Sequence, residues 1–133
     1  MTLRERLQPT LRLVAIAHAA TRTAIGAATF LAPTSAEAWF GPGTRSGGGR
    51  VALRAFAIRD AVIGLGQLHQ LYHRQPVRHW FQLALALELT DSLETIHQRR
   101  ELPDTRFPDA VALFGLSGIV GGALVGFGLD EER

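Results

Sequence analysis

A chain of 133 residues, 47% of them hydrophobic, with a formal net charge of +2 and no cysteine, is the size of one domain. Lacking cysteine, it excludes disulfides, thiolate chemistry and cysteine-ligated zinc; its arginines are dispersed, which excludes a basic nucleic-acid stripe despite a pI of about 10.4. All 14 basic residues are arginine, and a guanidinium keeps its charge where a lysine would lose it, so a buried arginine here must be paired.

Residues 1–10 read as a short polar lead, with Pro9 placed to open a helix in its first turn. The first apolar segment, 11–32, is about long enough at 1.5 Å per residue to cross ~30 Å of hydrocarbon, and Pro33 ends it. Arg22 lies at its middle. A signal peptide cleaved near the small residues 35–38 is the rival reading, and Arg22 argues against it, because a signal core carries no charge. Residues 34–49 are turn and linker chemistry, with Trp39 and Phe40 placed as an interfacial anchor. Their glycines do not make a phosphate loop, since no Gly-Lys-Ser/Thr follows and no strand precedes them.

The second segment, 51–71, carries Arg54 and the adjacent Arg59 and Asp60 in an apolar interior. Pro76 marks a tight turn into the third segment, 77–97, so these two helices are expected to be antiparallel neighbours. In the third, Glu88, Asp91 and Glu94 recur every three residues and form a negative ridge near one helix face. A polar hinge at 98–109 leads to the fourth segment, 110–129, which carries no formal charge. Six of its residues are glycine; each costs ~1 kcal/mol in a soluble helix, whereas membrane helices use small residues to pack closely. Gly118, Gly122 and Gly126 repeat at four, a packing seam within one subunit or the face of a homodimer.

Depth links these segments. If they alternate in direction across a bilayer, Arg22 and Glu88 fall at the midplane, Arg59, Asp60 and Asp91 a few ångströms to one side, and Arg54 and Glu94 about 10 Å out. The expected pairs are Arg22–Glu88, Arg59–Asp91 and Arg54–Glu94, with Asp60 in the central group. Two arginines against three carboxylates at the centre leave one carboxylate over, and Glu88, Asp60 and Asp91 are the candidate proton carriers. Arg22, Arg54, Arg59, Glu94 and His18 are the candidate binding residues, His18 as a relay or a packing residue. His69, His73 and His79 have a spacing that permits metal binding, yet no Glu follows His69 as in a zinc protease, and neither a metal nor a cofactor is expected. Ser117 has no evident base partner, so acyl transfer is not supported.

The strings Arg22-x-x-x-Gly26, Arg59-Asp60-x-x-x-Gly64-x-Gly66 and Glu88-x-x-Asp91 resemble those of small four-helix bacterial membrane proteins, broadly DoxX-like in size and layout. The resemblance covers most of the chain through loose motifs, and Glu88 and Glu94 flank Asp91 where aspartates would be usual. It implies a multi-pass protein of the bacterial inner membrane and no particular activity.

These readings predict residues 1–133 as one all-α domain, a four-helix transmembrane bundle of up-down topology with a charged interior, embedded in the lipid bilayer. Arginine counts on the two sides of the bundle, six on the side of the termini (Arg4, Arg6, Arg12, Arg74, Arg78 and Arg133) against five, slightly favour cytoplasmic termini. The expected function is to bind or move a small or lipophilic molecule or a proton. A membrane enzyme using Glu88 or Asp60 as general acid and a structural subunit of a membrane complex are the alternatives, and a soluble four-helix bundle is the non-membrane one.

Overall fold

The computed structural model describes residues 2–102 and 107–129, and among them the chain is all-α, with no strand. Its helices are α1 (Leu3–Leu31), α2 (Glu37–Phe40), α3 (Gly47–Tyr72), α4 (Arg78–His97) and α5 (Phe107–Gly126). Four are long; α2 is a single turn between the tighter turns Pro33–Ala36 and Pro42–Arg45.

The starts of α1 and α3 lie earlier than the apolar pattern indicates, because polar caps set them. Thr2 and Glu5 form a reciprocal capping box, the Glu5 N–H donating to Thr2 Oγ1 and the Thr2 N–H to Glu5 Oε2, so α1 opens at Leu3 and runs through Pro9. Ser46 Oγ accepts from the Gly49 N–H and opens α3 at Gly47, through a first turn rich in glycine. The linker expected at 34–49 is therefore mostly helical turns, fastened by an Arg45–Glu37 ion pair of 2.7 Å. Helix α4 lies within a residue of the expected 77–97, and α5 begins and ends three residues before the expected segment.

Helices α1 and α3 pack along their length through small residues. Ala15, Ala19, Ala57 and Ala61 are buried, and a methyl group added at Gly26 would fall 2.6 Å from both the Ala57 carbonyl oxygen and the Ala61 nitrogen. Only glycine lets the two backbones approach this closely. Helices α4 and α5 form the second pair, with Gly118 and Gly122 at ordinary contact distance from Leu85 of the same chain. The α3–α4 turn ends with Arg74 at φ 53°, which brings the Gln75 N–H to the Gln70 carbonyl at 2.9 Å.

One end of the bundle is closed by apolar packing. Ala15 and Ala19 of α1, Leu71 of α3, Val77 and Phe81 at the start of α4, and Leu124 and Leu129 at the end of α5 form its core. Leu129 is folded back into it because Gly128 takes φ 73° and lets the Leu129 N–H return to the Leu124 carbonyl. Gln8 Nε2 donates to the Gly128 carbonyl at 2.9 Å, and Arg12 Nη2 to the Leu71 carbonyl at 2.6 Å. The start of α1 thus meets the ends of α3 and α5, which sets α1 antiparallel to both.

The core is mostly apolar, yet it also takes in charge. Arg22, Gln67 and Glu88 are buried, Glu88 to 3% exposure, while Val62, Leu65, Leu93, Leu116 and Ile119 lie on the outside, Ile119 at 70%. Water-soluble domains place charges outside and rarely expose extended apolar faces. By length and composition one helix can cross a membrane, α1 over Glu5–Leu31; the apolar part of α5, Val111–Gly126, is shorter.

Candidate functional site: a buried charge network beside an apolar cavity

The functional side chains converge because of where helical periodicity puts them. His18 and Arg22 are one turn apart on α1, and Glu88 and Asp91 are nearly one turn apart on α4, so each pair shares a face. Arg59 and Asp60 are consecutive and point about 100° apart around α3. Asp60 therefore turns to α1 and Arg59 to α4.

Arg22 Nη1 donates to Asp60 Oδ1 at 2.8 Å, and Arg22 Nη2 contacts Glu88 Oε1. Arg59 grips Asp91 in a bidentate pair, Nη2 to Oδ2 at 2.6 Å and Nη1 to Oδ1 at 3.3 Å, and lies 3.5 Å from Asp60. A chain of opposite charges, Asp91–Arg59–Asp60–Arg22–Glu88, thus runs across α4, α3 and α1 and back to α4. Two expected pairs, Arg22–Glu88 and Arg59–Asp91, are present, and Asp60 links them.

The third expected pair is absent. Arg54 Nε donates to the Phe30 carbonyl at 3.3 Å with its guanidinium 5.8 Å from the Phe30 ring centre, and Glu94 accepts from Gln98 Nε2 at 2.9 Å. Both side chains are exposed. Matching depth gave the two residues similar height but not the same direction: Arg54 lies about 140° around α3 from Arg59, and Glu94 about 120° around α4 from Glu88. The acidic ridge therefore turns from buried Glu88, through half-buried Asp91, to exposed Glu94.

Ser117 of α5, expected to lack a basic partner, has one. Its Oγ lies 2.8 Å from His18 Nε2 and donates to Glu88 Oε1 at 2.5 Å. With Glu88 ionised, the one proton of the serine hydroxyl goes to it, and Nε2 then carries the imidazole proton and leaves Nδ1 a lone pair. A nucleophilic triad places the acid on the histidine nitrogen remote from the serine. Here carboxylate and imidazole meet at the same hydroxyl, so Ser117 is a hydrogen-bond bridge that extends the network into α5.

The network is not fully satisfied. Glu88 Oε2, His18 Nδ1, Arg22 Nε and Arg59 Nε are buried without a hydrogen-bond partner. A cavity of about 870 Å³ lies between α1 and α5, lined by His18, Arg22, Asp60, Glu88, Asp91 and Ser117 on its polar side. The rest of its wall is mostly apolar, with Val14, Ile25, Phe56, Leu113 and Phe114. Trp39 and Phe40, expected as an interfacial anchor, line it at the linker end. A pocket of this size, mostly apolar with a few converging polar groups, has the make-up of a small-molecule site.

The other histidines stand apart from this site. His69 and His73 face one another with ring centres 4.5 Å apart, and His79 lies beside Trp80. No group of three metal-ligating side chains gathers among the described residues. The chain matches no family model, and no curated protein and no solved structure is significantly similar to it.

Proposed function

We propose that the chain is a multi-pass membrane protein, its four long helices in an up-and-down bundle, that binds a small lipophilic molecule in the cavity between α1 and α5. The observation that carries this reading is the cavity itself: apolar walls for a hydrocarbon body and a buried, incompletely satisfied charge network for a polar head. The buried Arg22 and Glu88 and the outward Val62, Leu65, Leu116 and Ile119 support the membrane setting, because apolar side chains suit hydrocarbon and paired inward charges avoid it. The DoxX-like resemblance of the Arg59-Asp60 and Glu88-x-x-Asp91 strings agrees with it. Helices α3 and α4 fall short of a typical span; of the charges they carry, Arg59, Asp60, Glu88 and Asp91 are answered inside the bundle, while Arg54 and Glu94 are exposed. Among the three candidate proton carriers, Glu88 retains an unpartnered buried oxygen and is the principal head-group contact.

Two measurements test the proposal. A carbonate wash of membranes should leave the protein in the pellet, with detergent required to release it; recovery in the supernatant overturns the membrane setting. For the cavity, Trp39 supplies a reporter once Trp80 is replaced by phenylalanine. A dibrominated long-chain alcohol should quench Trp39 saturably, and Ala17→Phe, which fills the cavity without touching the network, should abolish the saturable part. Quenching equal with and without Ala17→Phe removes the binding reading.

A further inference from the structure

Resting on the cavity reading above, we infer that the molecule this site accepts is a lipophilic organic cation, such as a hydrophobic amine in its charged form. Charge is the first reason. The network pairs Arg22 and Arg59 with Asp60, Glu88 and Asp91, which leaves one carboxylate over in a buried setting. Among the described lining residues Arg22 is the sole arginine. A surplus buried carboxylate is costly until it takes a proton or a counter-charge meets it, and a cationic guest supplies the second.

The kind of atom left unsatisfied is the second reason, and like the count it takes Glu88 as ionised. Glu88 Oε2 can only accept from a donor, and Glu88 is 3% exposed. His18 Nδ1, by the argument from Ser117, is also an acceptor. The free Arg22 and Arg59 nitrogens are inner Nε atoms of guanidiniums whose outer nitrogens already hold carboxylates. Glu88 and His18 line the cavity, and a turn of either side chain would bring its unpartnered acceptor to a positive head. Trp39, Phe40 and Phe114 on the same wall add aromatic faces, which attract cations.

Two ions of equal size and shape but opposite charge separate this inference from the cavity reading. The purified full-length protein in neutral maltoside micelles is dialysed against tetraphenylphosphonium and, separately, tetraphenylborate, with protein-free micelles subtracted. The phosphonium should bind at least tenfold more tightly than the borate, and Glu88→Gln should bring the ratio near one. Glu94→Gln, which alters an exposed carboxylate outside the cavity, should leave the ratio unchanged. Equal binding of the two ions by the unaltered protein, or preference for the borate, overturns the inference while the lipophilic site stands. Saturable binding of neither overturns both. Because the wild-type ratio is decisive by itself, the test survives a Glu88→Gln variant that fails to fold.

Discussion

Helix α1 has two long neighbours and meets them in opposite ways. Against α3 it is sealed by Ala15, Ala19, Gly26, Ala57 and Ala61, with backbones so close that a single added methyl would collide. Toward α5 it holds a cavity of about 870 Å³, bridged in the middle by the His18–Ser117 contact. The difference lies in side-chain size and polarity: small residues have nothing to keep backbones apart, whereas His18 and Arg22 need room and partners. One helix thus provides both the seam that fixes the bundle and one wall of the site.

The sharpest way to break that contrast is to remove the charge standing between seam and cavity. Arg22→Leu leaves Glu88 without its arginine and Asp60 with only the 3.5 Å contact to Arg59, and should destabilise the bundle by about 3–5 kcal/mol in a denaturing-detergent titration. Adding Glu88→Leu should recover part of that loss, with a coupling of about 0.5–3 kcal/mol in the double-mutant cycle. Strict additivity would show that the two side chains do not interact. Next in size is the seam: Gly26→Ala should cost about 1–3 kcal/mol in the same titration, since backbone must move to admit it. An unchanged midpoint would mean the seam is looser than described.

At Gly122 the same substitution should have the opposite sign. Its added methyl meets only Leu85 at 3.9 Å, so relief of glycine's backbone freedom should stabilise the protein by about 0.5–1 kcal/mol. A large loss there would point to a partner held against this glycine. Smallest of all, Arg54→Gln and Glu94→Gln should each shift stability by no more than about 0.5 kcal/mol, and their effects should add. Coupling between them would restore the ion pair that the structure does not contain.

Most of the site was legible in the sequence because charges inside apolar helices have few ways to be satisfied. Counting heights along the segments was enough to bring Arg22 to Glu88 and Arg59 to Asp91. It failed for Arg54 and Glu94 because height is one coordinate and direction around the helix is another. Ser117 was missed for a different reason: its role depends on the lateral placement of α5, and a lone serine in a glycine-rich apolar run carries no pattern that fixes this. The start of α1 was legible and was misplaced, since Thr2 and Glu5 spell a capping box while Pro9 draws the eye to a later start. The apolar pattern identified the helices; their polar caps, not hydrophobicity, set the starts of α1 and α3.

The hydrogen bonds from Gln8 to Gly128 and from Arg12 to Leu71 bear on traffic as well as on packing. They clasp α1 at the end where Phe81, Leu124 and Leu129 already fill the interior. In the proposed binding reading, a guest reaching His18 and Glu88 would find that end closed and would enter elsewhere along the cavity, whose lining includes Trp39 and Phe40. Under the proposed binding reading, residence time in the cavity would be tied to the turns that carry Trp39 and Phe40, to which the exposed Arg45–Glu37 pair adds little.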